Sequence, residues 1–193
     1  MLGLKLPTDE RWVKLVEGNI SEILTDHAWC EQKAASNAIS LIVKYPELTD
    51  MVDELSKIAV EEMQHFSMVH QKIKERGFVL GPERKDDYVH DLMKFTNKGG
   101  SRNQQLIDKL LFAAMIEARS CERFKLLSEK VNDADLRQFY RELMISEATH
   151  YTTFLGFARK YAMGIDVEAR WKQFLAYEAT VIKNYGKKET MHG

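Results

Sequence analysis

Proline occurs only three times in 193 residues, at Pro7, Pro46 and Pro82, and the ten glycines fall mostly outside the strongly periodic segments. Helix breakers are therefore missing from most of the chain, which favours an all-α protein. Cysteine is just as scarce. Cys30 and Cys121 share no C-x-x-C spacing, so a disulfide scaffold, a zinc ribbon and a rubredoxin-type iron site are excluded, and a reducing compartment is expected. No run approaches the roughly 20 apolar residues of a membrane span. The opening MLGLKLPTDERW has no long apolar core and carries acids early, unlike a secretory signal or an Arg-rich transit peptide. A cytoplasmic chain is the expectation. Charge of one sign is missing too: the formal net charge of −1 argues against a surface built to coat nucleic acid, while leaving room for a local basic patch.

What is present is ordinary for a globular protein, with 45% hydrophobic and 30% charged residues in 22.4 kDa. One domain over 1–193 is expected. From about 9 to 44, Trp12, Leu15, Val16, Asn19, Ile23, Asp26 and Cys30 recur at three- and four-residue steps, the pattern of a helix core face. The break KYPELTD leads to a second helix over about 47–76, closed by the glycine of RGF. Residues 77–102 carry Gly81-Pro82, a charged run and Gly99-Gly100-Ser101, which reads as a linker with at most one short helix near Tyr88–Phe95. Helices follow over about 103–131 and 135–163, separated by the turn and cap signal NDAD. Asp166 caps a further C-terminal helix over about 166–185.

Several buried stripes hold acids where leucine is normal. Glu62 and His65 in VEEMQHFS, and Glu147 and His150 in ISEATHYT, share a Glu-x-x-His frame. Three helical residues turn the side chain about 60° and advance it roughly 4.5 Å, so each pair projects toward one point. The preceding helices carry Glu31 in AWCEQKAAS and Glu117 in AMIEARSCE. Glu31 lies 31 positions before Glu62, and Glu117 lies 30 before Glu147, with the midpoints at the turns near Pro46 and Asn132. Antiparallel hairpins hinged there bring each acid level with its Glu-x-x-His partner. Glu122, five residues after Glu117, is a rival ligand that the matched spacings disfavour. Asp26 and His27 sit one turn before Glu31; either can hydrogen-bond behind the ligands, although capping or solvent contact is the commoner use.

Four glutamates and two histidines in this order match the constellation of ferritin-like dimetal carboxylate bundles. The expected fold is therefore all-α, a ferritin-like four-helix bundle with a long crossover between its second and third helices and an additional C-terminal helix. Oxygen-rich, sulfur-free donors suit iron, with manganese possible, better than zinc or copper. Two such ions neutralise four carboxylates that would otherwise repel one another or take up protons.

With these residues in place, the chain resembles the tRNA 2-methylthio-N6-isopentenyladenosine hydroxylases, ferritin-like di-iron monooxygenases. LPTDERW, EQKAASNAISLI, EEMQHF, GPERKDDYVHDLM, LLFAAMIEARSCERFKLL and FYRELMISEATHY carry the likeness, and IEARSCERF is the most specific of them. Glu31, Glu62, His65, Glu117, Glu147 and His150 match the ligand positions one by one; beyond Tyr161 the likeness fades. The resemblance implies two iron ions, O2 as co-substrate, and insertion of one oxygen atom into the isopentenyl group of a modified adenosine next to the anticodon. It also implies an external electron donor, a ferredoxin or a reductase, because the chain has neither a flavin motif nor iron–sulfur cysteines.

Ala34, Ala35 and Ala38, with Ala113 and Ala114, leave room beside the acids for an apolar C5 chain or simply allow close helix packing. Contacts to tRNA are expected from Arg84 and Lys85 in the crossover, from Lys98 and Arg102 at its end, or from Arg159 and Lys160. Cys121 reads as a small buried hydrophobe. A monomer is expected. The competing readings are a ferritin-like ferroxidase or iron-binding protein, which would need a shell-forming oligomer, and a metal-free helical interaction protein.

Overall fold

The computed structural model describes residues 2–184 and 190–191. All regular structure among them is helical. Two compact units are distinguished, one of residues 18–85 with 190–191, the other of residues 2–17 and 86–184.

The first unit is a hairpin of α2 (Ile20–Lys44) and α3 (Thr49–Glu75). Its core pairs small residues, Ala28, Ala35 and Ala38, with larger ones, Met51, Leu55, Ile58 and Val69, so the helices pack along their length. Buried Tyr45 donates its N–H to the Leu41 carbonyl at the end of α2, and the short Pro46 connection enforces an antiparallel return. The glycine stop expected at RGF is a Schellman turn. Gly77 adopts φ 71°, its N–H reaching the Lys74 carbonyl at 2.9 Å and that of Phe78 the Ile73 carbonyl at 3.0 Å. The chain then runs back along α2. Trp29 Nε1 donates to the Gly81 carbonyl at 3.0 Å, Lys33 Nζ donates to the Arg84 carbonyl at 2.9 Å, and Arg84 pairs with Glu22.

The second unit is built on a hairpin of α5 (Arg102–Lys130) and α6 (Ala134–Lys160), flanked by α1 (Arg11–Gly18, entering this unit through its first seven residues), α4 (Asp87–Met93) and α7 (Val167–Val181), with a 3-10 turn at Ile182–Asn184. Ser101 and Gln104 form a reciprocal capping box at the start of α5, and Asp133 accepts from the Asp135 and Leu136 N–H groups at the start of α6. Helix α5 is covered on nearly every side, so its polar side chains must find internal partners. Arg119, 0% exposed, donates to Glu178 of α7 at 2.6 Å and to Glu122 at 2.9 Å. Asp108 accepts from Arg170 of α7 at 2.7 Å, and that guanidinium also lies over the Phe95 ring at 4.4 Å. Both pairs fasten α7 to α5.

One boundary differs from the periodicity. The helix expected over 9–44 is two, α1 and α2, because Asn19 leaves helical dihedral space at φ −143°, ψ 46°. The apolar stripe continues across the break, which is why it carried no signal in the pattern. The other helices lie within a few residues of their expected ends, and the short crossover helix is α4. The expected extent to residue 185 reaches beyond the described residues.

Candidate metal centre

On the α2–α3 hairpin, Glu31 meets Glu62 and His65. Each offers a ligand atom, all within 4.8 Å of one another, and the three are 4%, 0% and 6% exposed. His65 Nδ1 stands 3.3 Å from Glu62 Oε2 and 3.7 Å from Glu31 Oε2. Helical register explains the pairing, since Glu62 and His65 are one turn apart on the inner face of α3 and the hinge returns Glu31 to their level.

The electrostatics are those of a cation site. Burial alone would lower the His65 pKa, but the Glu31 and Glu62 carboxylates raise it to about 10. Burial pushes Glu31 up, yet hydrogen bonds from His27 and His65 outweigh it and hold the carboxyl well below the usual range. An imidazolium thus occupies the electrostatic role a metal cation would take, between two acids that remain ionised. His27, wholly buried, lies behind Glu31 with Nε2 2.6 Å from Oε1. Hydrogen bonding behind a candidate ligand, one of the two uses weighed, is found for His27; Asp26 instead accepts the Met191 N–H at 2.6 Å.

The α5–α6 hairpin repeats the arrangement with Glu117, Glu147 and His150. Their ligand atoms also lie within 4.8 Å of one another, at 5%, 3% and 1% exposure. The rival Glu122 is engaged elsewhere: it accepts from the Thr8 N–H at 3.0 Å, the Thr8 hydroxyl at 2.6 Å and Arg119. Cys121 is buried and its thiol donates to the Met144 carbonyl at 3.4 Å. Burial, with the Glu147 and Glu122 carboxylates adding to it, pushes this thiol up to about 12, so it stays protonated.

Each triad supplies two carboxylates and an imidazole from dry surroundings, a donor set that suits one iron(II) or manganese(II) ion and balances its charge. Among the small residues, Ala35, Ala113 and Ala114 are buried and Ala34 half-buried. Neither of two open grooves, of about 650 Å³ beside Ile39, Ala59, Val60 and Met63 and about 240 Å³ beside Leu6, Pro7 and Glu122, is lined by them. Of the basic residues, Lys85, Lys98, Arg102 and Lys160 are exposed. Arg84 is half-buried against Glu22, and Arg159 pairs with Glu168 at 2.7 Å. No described helix is long and apolar enough to cross a membrane.

Comparison with known proteins agrees with this geometry. The family model described as tRNA-(MS[2]IO[6]A)-hydroxylase (MiaE) matches residues 2–193. The tRNA 2-(methylsulfanyl)-N(6)-isopentenyladenosine(37) hydroxylase of Pseudomonas putida is 34% identical over 189 residues, covering 98% of this chain and 91% of its own. The protein of the same name from Salmonella typhimurium is 28% identical, covering 98% and 87%. Among solved structures, "Protein 43 with aldehyde deformylating oxygenase activity from Synechococcus" superposes with a TM-score of 0.91 at 33% identity, over 98% of this chain and 95% of that one. The fold is of the ferritin-like all-α class, as expected. A match over essentially the whole length, by sequence and by fold, together with two buried Glu/Glu/His triads, leads to one conclusion: the chain belongs to the tRNA-(MS[2]IO[6]A)-hydroxylase family.

Proposed function

We propose that the chain is a tRNA hydroxylase acting on the isopentenyl group of a (2-methylthio-)N6-isopentenyladenosine next to the anticodon. The observation that carries this reading is the pair of buried triads in a chain that the family model matches over residues 2–193. In the reaction a terminal C–H bond is replaced by C–OH. The second atom of O2 leaves as water, with two electrons and two protons delivered through an external ferredoxin or reductase. Glu31, Glu62, His65, Glu117, Glu147 and His150 hold two iron ions, whose bound chemistry is the activation of O2.

The chain's own residues do the rest. Burial of all six ligands keeps water from the oxidising site. Ala34 and Ala35 on α2 and, on the other hairpin, Ala113 and Ala114 on α5 are the small side chains assigned to contact with the C5 chain. Lys85 and Arg102 meet tRNA phosphates, and Arg84 does so by exchanging Glu22 for phosphate. The named likeness to a protein with aldehyde deformylating oxygenase activity favours a second reading, an O2-dependent reaction on an aldehyde.

Iron-loaded protein given O2, a reducing system and tRNA bearing the prenylated adenosine should yield the hydroxylated nucleoside by mass spectrometry. Without that product the tRNA reading fails. Loss of the formyl carbon from an added aldehyde, in the same assay, would select the second reading.

A further inference from the structure

We propose that His27 is a positioning residue that makes Glu31 a one-oxygen ligand, an inference that rests on the reading of Glu31, Glu62 and His65 as a metal triad. The two carboxylate oxygens of Glu31 face different neighbours. Oε2 is directed to the triad, 3.7 Å from His65 Nδ1, whereas Oε1 lies 2.6 Å from His27 Nε2. An ionised carboxylate only accepts hydrogen bonds, so the imidazole must carry its proton on Nε2, which fixes the direction of the bond.

His27 precedes Glu31 by one helical turn and is 0% exposed, against 4% for Glu31. Neither side chain can exchange its partner for bulk water. A carboxylate free to rotate can place both oxygens on an ion. With Oε1 held by His27, Oε2 is the oxygen left to hold an ion. Such a bond also fixes the carboxylate plane before the ion arrives, so less ordering is required on binding. Asp26, adjacent in sequence, is engaged by the Met191 N–H at 2.6 Å, which anchors this turn of α2.

The test compares full-length wild type, His27→Phe and His27→Gln, each loaded with cobalt(II) as a spectroscopic substitute for iron. Cobalt affinity is measured by equilibrium dialysis and coordination by the visible ligand-field spectrum. Phe keeps the ring and removes the donor; Gln places an amide N–H near the position of Nε2. The expected result is about 10–100-fold weaker cobalt binding with an altered spectrum for His27→Phe, and recovery of both by His27→Gln. An unchanged His27→Phe spectrum and affinity would overturn the proposal, as would a Gln variant that behaves like Phe. Wild type that binds no cobalt would instead remove the metal reading on which the proposal stands. Should His27→Phe fail to fold, the infrared difference between cobalt-loaded wild type and Glu31→Gln decides. Widely split carboxylate stretches support one-oxygen ligation, and narrowly split ones overturn it.

Discussion

Glu117 and Glu122 show how two glutamates five positions apart acquire different work. Glu117 joins Glu147 and His150, whereas Glu122 accepts hydrogen bonds from Thr8 and from buried Arg119. Glu117→Ala should therefore lower bound iron by about one ion per chain and turnover by at least ~100-fold while circular dichroism stays helical. Glu122→Ala should do the reverse, keeping its iron but losing about 2 kcal/mol in urea unfolding because Arg119 loses a partner. The His65 triad gives a pH forecast for metal-free protein. The pKa of His65 rises on folding from 6.5 to about 10, so its contribution is fully present below pH 6.5 and is lost as pH climbs through 10. Glu31 is depressed on folding from 4.5, so its contribution is present above that value and is lost on acidification. Melting temperature should be greatest between about pH 5 and 6.5 and decline toward pH 10. Iron affinity should run oppositely, rising with pH as the imidazole gives up its proton to make way for the ion.

Helix α5 depends on its first turn. Gly100 lies at φ 87°, and a Cβ there would come within 2.5 Å of Gln104 Oε1, the atom that accepts the Ser101 N–H. Gly100→Ala should cost about 1–2 kcal/mol by denaturant unfolding, and Ser101→Ala about 1. A neutral Ser101→Ala would show that the capping box contributes nothing at this site. Most elements could be read in advance because turn chemistry and core stripes coincide, as at Pro46 and at NDAD. The break at Asn19 could not, since Val16 and Ile23 keep the stripe in phase across it. The triads were legible for a geometric reason, a three-residue helical offset repeated at matched hinge distances. The ties of Arg119 to Glu178 and Asp108 to Arg170 were not, because 59 and 62 positions separate the partners and no local period links them. His27 was visible as a candidate one turn from Glu31, but only coordinates select its partner.

Across the chain, four glutamates are withdrawn from water, and on the proposed reading two divalent cations would balance them with both imidazoles neutral. That reading links metal binding to folding. Anaerobic iron(II) or manganese(II) at 100 times its dissociation constant should stabilise the fold by about 2.7 kcal/mol per independent site, read as a rise in melting temperature that a chelator reverses. An unchanged melting temperature would point to the metal-free helical reading. The contact between Met191 and Asp26 has a practical corollary. Met191 is 1% exposed and fastened to the turn of helix that also presents His27. Asp26→Ala removes the acceptor of that clasp, so it should loosen the turn of α2 that carries His27, read as faster amide hydrogen exchange there, whereas Asp26→Asn keeps an acceptor oxygen and should not.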